Sequence, residues 1–293
     1  MLFFPVQYNQ PVFRPPAEAN SVIIQATIGC SWNKCTFCEM YKMKKFRIRD
    51  ISEVQKEIQI LSKSYTDVRR VFIADGNAFV LSFNKLIQII NEINSNFNSL
   101  QRISAYALPS DILSKTDYEL VLLKNAGLKL LYIGIESGDD ELLKIVNKSE
   151  TSQSTINGIK KAHKAGIDTS IMVINGLGGK HYSKQHAINS AKIVNKINPK
   201  FLSVLTLSFP LGENNYTSQF QSYYISMNVI DIIQELKLFI EKINVENTIF
   251  RTDHISNSVI LKGVLSRNKN EMIKTLENAL HYEIKHNRNT KHL

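Results

Sequence analysis

Between residues 21 and 210, apolar β-branched runs alternate with stretches whose apolar residues recur at helical spacing, and this alternation restricts the fold more than any other feature of the chain. Strands are expected at Ser21–Thr27, Val71–Ala74, Arg102–Ala107, Leu130–Ile135, Thr169–Ile174 and Phe201–Leu207. Helices are expected at Ile51–Leu61, Phe83–Ile93, Thr116–Lys124, Asp139–Val146, Thr151–Ala165 and Lys184–Lys196. Thr116 and Glu119 have capping-box spacing, Asp139 suits an N-cap, and Gly127 and Gly166 stand where a helix must stop before the next strand. Six βα repeats imply a parallel sheet buried on both faces. The expected class is α/β, a partial (β/α)6 TIM-like barrel with a C-terminal α/β extension; a doubly wound sheet shares the periodicity. Polar or glycine-rich turns at Asp75-Gly76-Asn77, Glu136-Ser137-Gly138 and Asn175–Gly179 fall at strand carboxyl ends, where both architectures place chemistry.

The rhythm changes after residue 210, which suggests three parts: an extended leader over 1–20, a core over 21–210, and an extension over 211–293 that caps the barrel. Within the extension, Asn215–Glu241 reads as mostly helical, Val245–Leu265 as short strands, and Asn268–Glu283 as an amphipathic helix. Gln7–Ala19, with Pro11, Pro15 and Pro16, is expected to lie extended on the surface, and residues 285–293 to fray. No run of eighteen apolar residues predicts a membrane span, and the N-terminus lacks the basic and apolar regions of a secretion signal. A net charge of +10 permits nucleic-acid binding, though a lysine-rich solvated surface is the more ordinary explanation.

All three cysteines fall in one decapeptide, Gly29-Cys30-Ser31-Trp32-Asn33-Lys34-Cys35-Thr36-Phe37-Cys38, with C-x4-C-x2-C spacing. An odd number in one loop argues against a disulfide scaffold and for a reducing, cytoplasmic compartment. Residues i, i+5 and i+8 diverge on a helix, so thiolates that converge require a loop wrapped around a shared object. An iron–sulfur cubane is such an object. A structural zinc ion needs a fourth ligand, and the nearest histidine in sequence is His163. A redox pair of Cys35 and Cys38 leaves Cys30 unused, and three buried structural cysteines are a further alternative.

This loop resembles that of the radical S-adenosylmethionine (SAM) superfamily, with one more residue between the first two cysteines than the usual C-x3-C-x2-C. Tyr132-Ile133-Gly134-Ile135-Glu136-Ser137-Gly138 is similar to the G-x-E-S-G passage of relatives of MiaB, Elp3 and NifB. Arg14–Ala19 and Met40-Tyr41-Lys42 extend the likeness to about residues 10–265. The resemblance implies a [4Fe-4S] cluster on Cys30, Cys35 and Cys38, with SAM on the fourth iron. It implies reductive SAM cleavage to a 5′-deoxyadenosyl radical that acts on an unassigned substrate, and an electron donor such as flavodoxin or ferredoxin. It places Phe37 near the adenine, Asp75, Gly76 and Asn77 near the SAM amino group, and Glu136 and Ser137 near the ribose and carboxylate. Asn175 and Gly176 are expected to meet the adenine or the substrate. A dinucleotide-binding reading of that glycine run fails because His181 stands where the third glycine belongs.

Asp253-His254 and Tyr106 are substrate-side candidates, whereas His181 and His186 read first as ordinary surface or core histidines. Two rival functions remain open: a non-catalytic iron–sulfur electron carrier or sensor, and an RNA-modifying radical SAM enzyme.

Overall fold

The computed structural model describes residues 5–209, 212–221 and 223–289. Its strands are β1 Val22–Gln25, β2 Thr27–Ile28, β3 Arg47–Ile48, β4 Arg70–Ala74, β5 Arg102–Tyr106, β6 Leu128–Glu136, β7 Asp168–Asn175, β8 Phe201–Thr206, β9 Ile249–Arg251 and β10 Lys262–Val264. Eight form the main sheet, in the order β1-β4-β5-β6-β7-β8-β9-β10, and β2 pairs with β3 in a separate antiparallel ribbon. The alternating helices are α1 Ile51–Ser64, α2 Phe83–Asn96, α3 Pro109–Leu113, α4 Asp117–Asn125, α5 Asp140–Ile145, α6 Ser152–Lys164, α7 Gly179–Ile197, α8 Asn214–Thr217, α9 Val229–Lys242 and α10 Leu265–Asn289. This is an α/β partial barrel, open rather than closed, with a C-terminal α/β extension. Among the described residues no helix is long and apolar enough to cross a membrane.

The chain divides into two compact units. The first comprises Met1–Lys34, Cys38–Ile133 and Asn157–Thr169. Here β1, β4 and β5 run parallel, with Ile24 opposite Ile73 and Phe72 opposite Ser104. Four consecutive residues of β4, Val71–Ala74, are fully buried, as a strand covered on both faces requires. Helix α1 buries Val54, Ile58 and Leu61, and α2 buries Leu86, Ile89, Ile90 and Ile93, each set spaced by three or four residues except the adjacent Ile89 and Ile90. Each such side chain contributes about 1.5–3 kcal/mol of burial free energy. The Thr116–Glu119 capping box starts α4 as its spacing predicts, and Gly127 and Gly166 take positive φ after their helices.

The second unit comprises Cys35–Phe37, Gly134–Ile156 and Ser170–Leu293. Strands β7, β8 and β9 run parallel, and β10 closes the edge antiparallel to β9. Asp139 caps α5 by accepting from the Leu142 amide. Leu142, Val146, Leu177, Tyr216 and Phe220 form a buried apolar cluster.

Five expectations need correction. The run Ser21–Thr27 is not one strand: β1 ends at Gln25, and Thr27–Ile28 turns away to pair with Arg47–Ile48. The leader is not merely extended on the surface. Pro16–Glu18 forms a 3-10 turn that buries Glu18, whose carboxylate accepts from Arg102 at 2.6 Å and the Tyr132 hydroxyl at 2.7 Å. Helix α7 starts at Gly179, five residues before Lys184, because Gly178 and Gly179 allow the chain to enter the helix at once. Asn215–Glu241 is not continuously helical, since the Asn228–Asp231 capping box sets a fresh start for α9. Finally, residues 285–289 continue α10, while 290–293 lie outside the described residues.

Candidate cofactor site

In the first unit, β2 delivers the chain into the cysteine loop at Gly29, whose φ of +74° opens the turn. Asn33, the third of the four residues between Cys30 and Cys35, adopts φ of +47°. Its side-chain amide donates to the carbonyls of Tyr41 at 2.8 Å and Lys44 at 3.2 Å. Asn tolerates left-handed backbone better than most residues, so Asn33 both accommodates the longer spacing and clips the loop to the segment after it. Cys30 and Cys38 are partly exposed and form no disulfide.

Asp75 directly follows β4 and is fully buried. Its Oδ2 accepts from the Gly29 amide at 3.1 Å, the Gln25 amide at 3.3 Å and the Lys44 ammonium at 2.8 Å. Its Oδ1 has no partner, although it is buried. Lys44 also donates to the carbonyls of Asn9 at 2.7 Å and Pro11 at 2.6 Å, so one buried ammonium ties the leader to the strand end. Asn77 is 1% exposed; its Nδ2 donates to Ser31 Oγ at 2.7 Å and Asp111 Oδ2 at 2.6 Å. An ionised carboxylate only accepts, which fixes the amide orientation and leaves Asn77 Oδ1 buried without a partner. The Tyr41 hydroxyl is likewise buried; no hydrogen bond of good geometry reaches it, although it lies close enough to the Asp75 carboxylate to interact with it. Burial, reinforced by Asp75, pushes the Tyr41 phenol well above its ordinary range. A Cβ on Gly76 would lie 2.5 Å from the Tyr41 ring, so that glycine makes room for Tyr41.

Tyr106, at the end of β5, packs edge-on against Phe72 at 5.1 Å. Burial, then the charges of Asp75, Glu18 and Cys38, raises its phenol. Beneath Asp111, Lys115 is buried over the Phe79 ring, with its ammonium 4.2 Å from the ring centroid. Burial pulls Lys115 down to about 8, against the opposing pull of Asp111 and Glu119.

In the second unit, Cys35 is partly exposed and forms no disulfide, and Thr36 donates its amide to the Val146 carbonyl at 3.0 Å. Phe37 packs against the cluster of Leu142, Val146, Leu177, Tyr216 and Phe220. Glu136 takes φ of +60°, strained for a residue with a Cβ. A Cβ on Gly134 would fall 2.1 Å from Glu136 Oε1, so the G-x-E spacing reflects a carboxylate folded back over a bare backbone. Glu136 Oε1 accepts from Lys148 at 3.0 Å. Ser137 is buried; its hydroxyl meets His186 Nδ1 at 2.8 Å and accepts from the Asp139 amide at 3.0 Å. His186 Nε2 donates to the Ile174 carbonyl at 3.0 Å, which makes this histidine a buried tie between two strand ends.

Asn175 and Gly176 also have internal partners. The Asn175 amide donates to the Ile232 carbonyl at 2.9 Å, and the Gly176 N–H donates to Glu235 Oε1 at 2.6 Å. Burial holds the Glu235 carboxyl above the usual carboxylate range. The N-terminus of α7 is covered too, since Lys180 donates its amide to the Ile225 carbonyl at 2.9 Å. His181 is exposed and touches Tyr182 and Tyr223. His254 bonds Ser256 locally at 2.8 Å, and Asp253 pairs with Lys262 on the surface.

Lys44, Lys148 and Glu235 were not singled out by the sequence, and Tyr41 entered only within the Met40-Tyr41-Lys42 likeness. Only Glu235 carries a signal, because it stands beside Leu236 and four residues before Phe239 on the apolar stripe of α9.

The loop chemistry suits an iron–sulfur group: three thiols, no competing disulfide, and buried unpartnered oxygens on Asp75 and Asn77, whose other polar atoms bond Gly29 and Ser31 on either side of Cys30. Among the described residues no three His, Cys, Asp or Glu side chains are grouped to hold one metal ion. A cubane takes each thiolate on a separate iron, so its ligands stand further apart than those of a single ion. A largely parallel α/β sheet with such a loop at its first strand defines a class of partial-barrel proteins that hold a thiolate-bound cofactor at the strand ends.

The Radical SAM superfamily pattern matches residues 24–193, more than half of the chain, and the chain belongs to that superfamily. That family uses a [4Fe-4S] cluster and SAM. Among curated relatives, MJ0865 of Methanocaldococcus jannaschii, provisionally named a methylthiotransferase, is 28% identical over 156 residues, 50% of this chain and 33% of that protein. The heme chaperone HemW of Bacillus subtilis is 27% identical over 145 residues, 47% of this chain and 37% of HemW. The matches therefore span little more than a third of either relative. Coproporphyrinogen III oxidase (HemN) from Escherichia coli shares the fold, with a TM-score of 0.59 at 19% identity over 76% of this chain and 52% of HemN.

Proposed function

We propose that this chain is an enzyme that holds a [4Fe-4S] cluster through Cys30, Cys35 and Cys38 and cleaves SAM reductively to act on a substrate still unassigned. The observation that carries the reading is the pairing of a three-thiol loop with a strand end whose buried Asp75 Oδ1 and Asn77 Oδ1 lack partners. When bound, the cluster supplies one electron to the sulfonium of SAM, whose carbon–sulfur bond breaks to give methionine and a 5′-deoxyadenosyl radical.

The protein's own groups bind and orient. Asp75 Oδ1 and Asn77 Oδ1 accept hydrogen bonds from the SAM ammonium, since a buried acceptor without a donor costs about 1–3 kcal/mol until one arrives. Glu136 accepts from the ribose hydroxyls, held in place by Lys148. Phe37 offers an apolar face to the adenine. Ser137, Asn175 and Gly176 act through the shape of their turns, because their polar groups already bond His186, Ile232 and Glu235. The reading requires a one-electron donor and suits a reducing, cytoplasmic setting.

The test is anaerobic reconstitution. We expect about four irons per chain, a changed EPR spectrum of the reduced protein on adding SAM, and 5′-deoxyadenosine with dithionite. A fully loaded cluster whose spectrum ignores SAM would instead indicate the electron carrier or sensor. An RNA substrate draws support from the net charge of +10, and salt-dependent RNA binding tests it.

A further inference from the structure

We propose that the segment Met40–Ile48 is the docking surface for a small acidic protein that donates single electrons, seated beside Cys30. The proposal rests on the reading that the cysteine loop holds a reducible cluster. Three observations carry it, all within the first unit.

The first is position. In the β2–β3 ribbon, Ile28 pairs with Arg47 and Thr27 with Ile48, so β3 lies alongside the strand that feeds Cys30. A Cβ on Gly29 would sit 3.2 Å from Lys44 Cβ and 3.7 Å from Phe46 Cα, which puts the segment's backbone against the residue preceding Cys30. Asn33 clips the loop to Tyr41 and Lys44 from the other side. A protein seated on this segment is therefore seated at the root of the cysteine loop.

The second is composition. Met43 is 94% exposed, and Met40 and Ile48 are 40% and 41% exposed. Methionine adapts its shape to a partner and is enriched at interfaces. Apolar side chains this exposed are available to a partner.

The third is charge. Lys42, Lys45 and Arg47 are exposed around these apolar side chains, and none of them forms an ion pair among the described residues. Lys44, by contrast, is buried and already paired with Asp75. Three exposed cations without ion pairs, interleaved along the segment with exposed apolar residues, complement an acidic rim around an apolar redox centre, and such fields raise association rates more than affinity. One electron crosses in each encounter: a flavodoxin hydroquinone anion becomes the neutral semiquinone, and no atom changes hands.

The test uses reconstituted holoenzyme, flavodoxin as probe, and the variant Lys42→Glu/Lys45→Glu/Arg47→Glu, with Met43→Asp as a second variant. Calorimetry with oxidised flavodoxin reads docking directly. We expect wild-type binding to weaken as salt rises, and the triple variant to bind at least about tenfold more weakly. 5′-Deoxyadenosine formation driven by photoreduced flavodoxin should fall in step, while the dithionite-driven rate stays within about twofold of wild type. Unchanged flavodoxin binding in both variants, or no binding by the wild type, overturns the docking surface. Loss of RNA binding with flavodoxin binding intact overturns it in favour of a nucleic-acid face. Absence of dithionite-driven cleavage in every protein defeats the functional reading alone, and the calorimetry still decides the docking surface.

Discussion

The carboxyl ends of β4 and β7 carry similar residues, an acidic or amide side chain beside a glycine, yet they are finished to different degrees. At β4, Asp75 and Asn77 are buried with one oxygen each unpartnered, and no hydrogen bond of good geometry reaches the Tyr41 hydroxyl. At β7, Asn175 and Gly176 hand their donors to Ile232 and Glu235 of α9. Buried polar groups are satisfied in the great majority of cases, so a cluster of exceptions at one strand end marks a place kept for something outside the chain. The β7 end is more nearly completed by the protein itself, where the buried Glu235 Oε2 is the comparable exception among the described residues.

The comparison can be broken most sharply at Asp75. Asp75→Ala leaves the Lys44 ammonium buried without its counter-charge, and we expect a loss of about 3–5 kcal/mol in urea unfolding. Asp75→Asn keeps the shape and reads the ligand role: SAM affinity of the reconstituted protein should fall by about tenfold or more. An unchanged SAM affinity would remove Asp75 from the site. Next comes the closed end, where Leu177→Ala in the apolar cluster should cost about 2–5 kcal/mol by chemical denaturation while SAM affinity at a stabilising temperature holds.

A pH experiment reaches the support under Asn77. Lys115 titrates near 8 when folded, below its ordinary value, so between about pH 8 and 10 the unfolded chain binds more protons. Stability from this group therefore rises with pH across that window, and Lys115→Met should abolish the rise in urea midpoints. The smallest effect belongs to Glu235→Gln. Burial raises this carboxyl, so its contribution falls as pH climbs through the raised folded value. The amide should cost under about 1 kcal/mol at neutral pH, and flatten that part of the pH profile.

Much of this was legible in the sequence because burial on both faces leaves β4 and most of β6 and β7 as nearly continuous apolar runs, and because capping chemistry is local, as at Thr116 and Asp139. The three-cysteine loop and the Gly134–Glu136 spacing were legible for the same reason: each works through near neighbours. What stayed hidden depends on residues far apart in the chain. Glu18 meets Tyr132 across more than a hundred positions, and no pattern around Lys44 announces that its charge will be buried. Nor does the Asn175–Gly179 run reveal that α9 will claim its polar groups.

The ammonium of Lys44 has three acceptors and spends all its protons on them: two leader carbonyls and one carboxylate. Peeling back the leader at Asn9 and Pro11 would therefore strip neutralisation from Asp75 as well. Hydrogen exchange should show the amides near Asn9 and the Gly29 amide opening together as one cooperative unit, so that the earliest residues of the chain govern how firmly the cysteine loop is held.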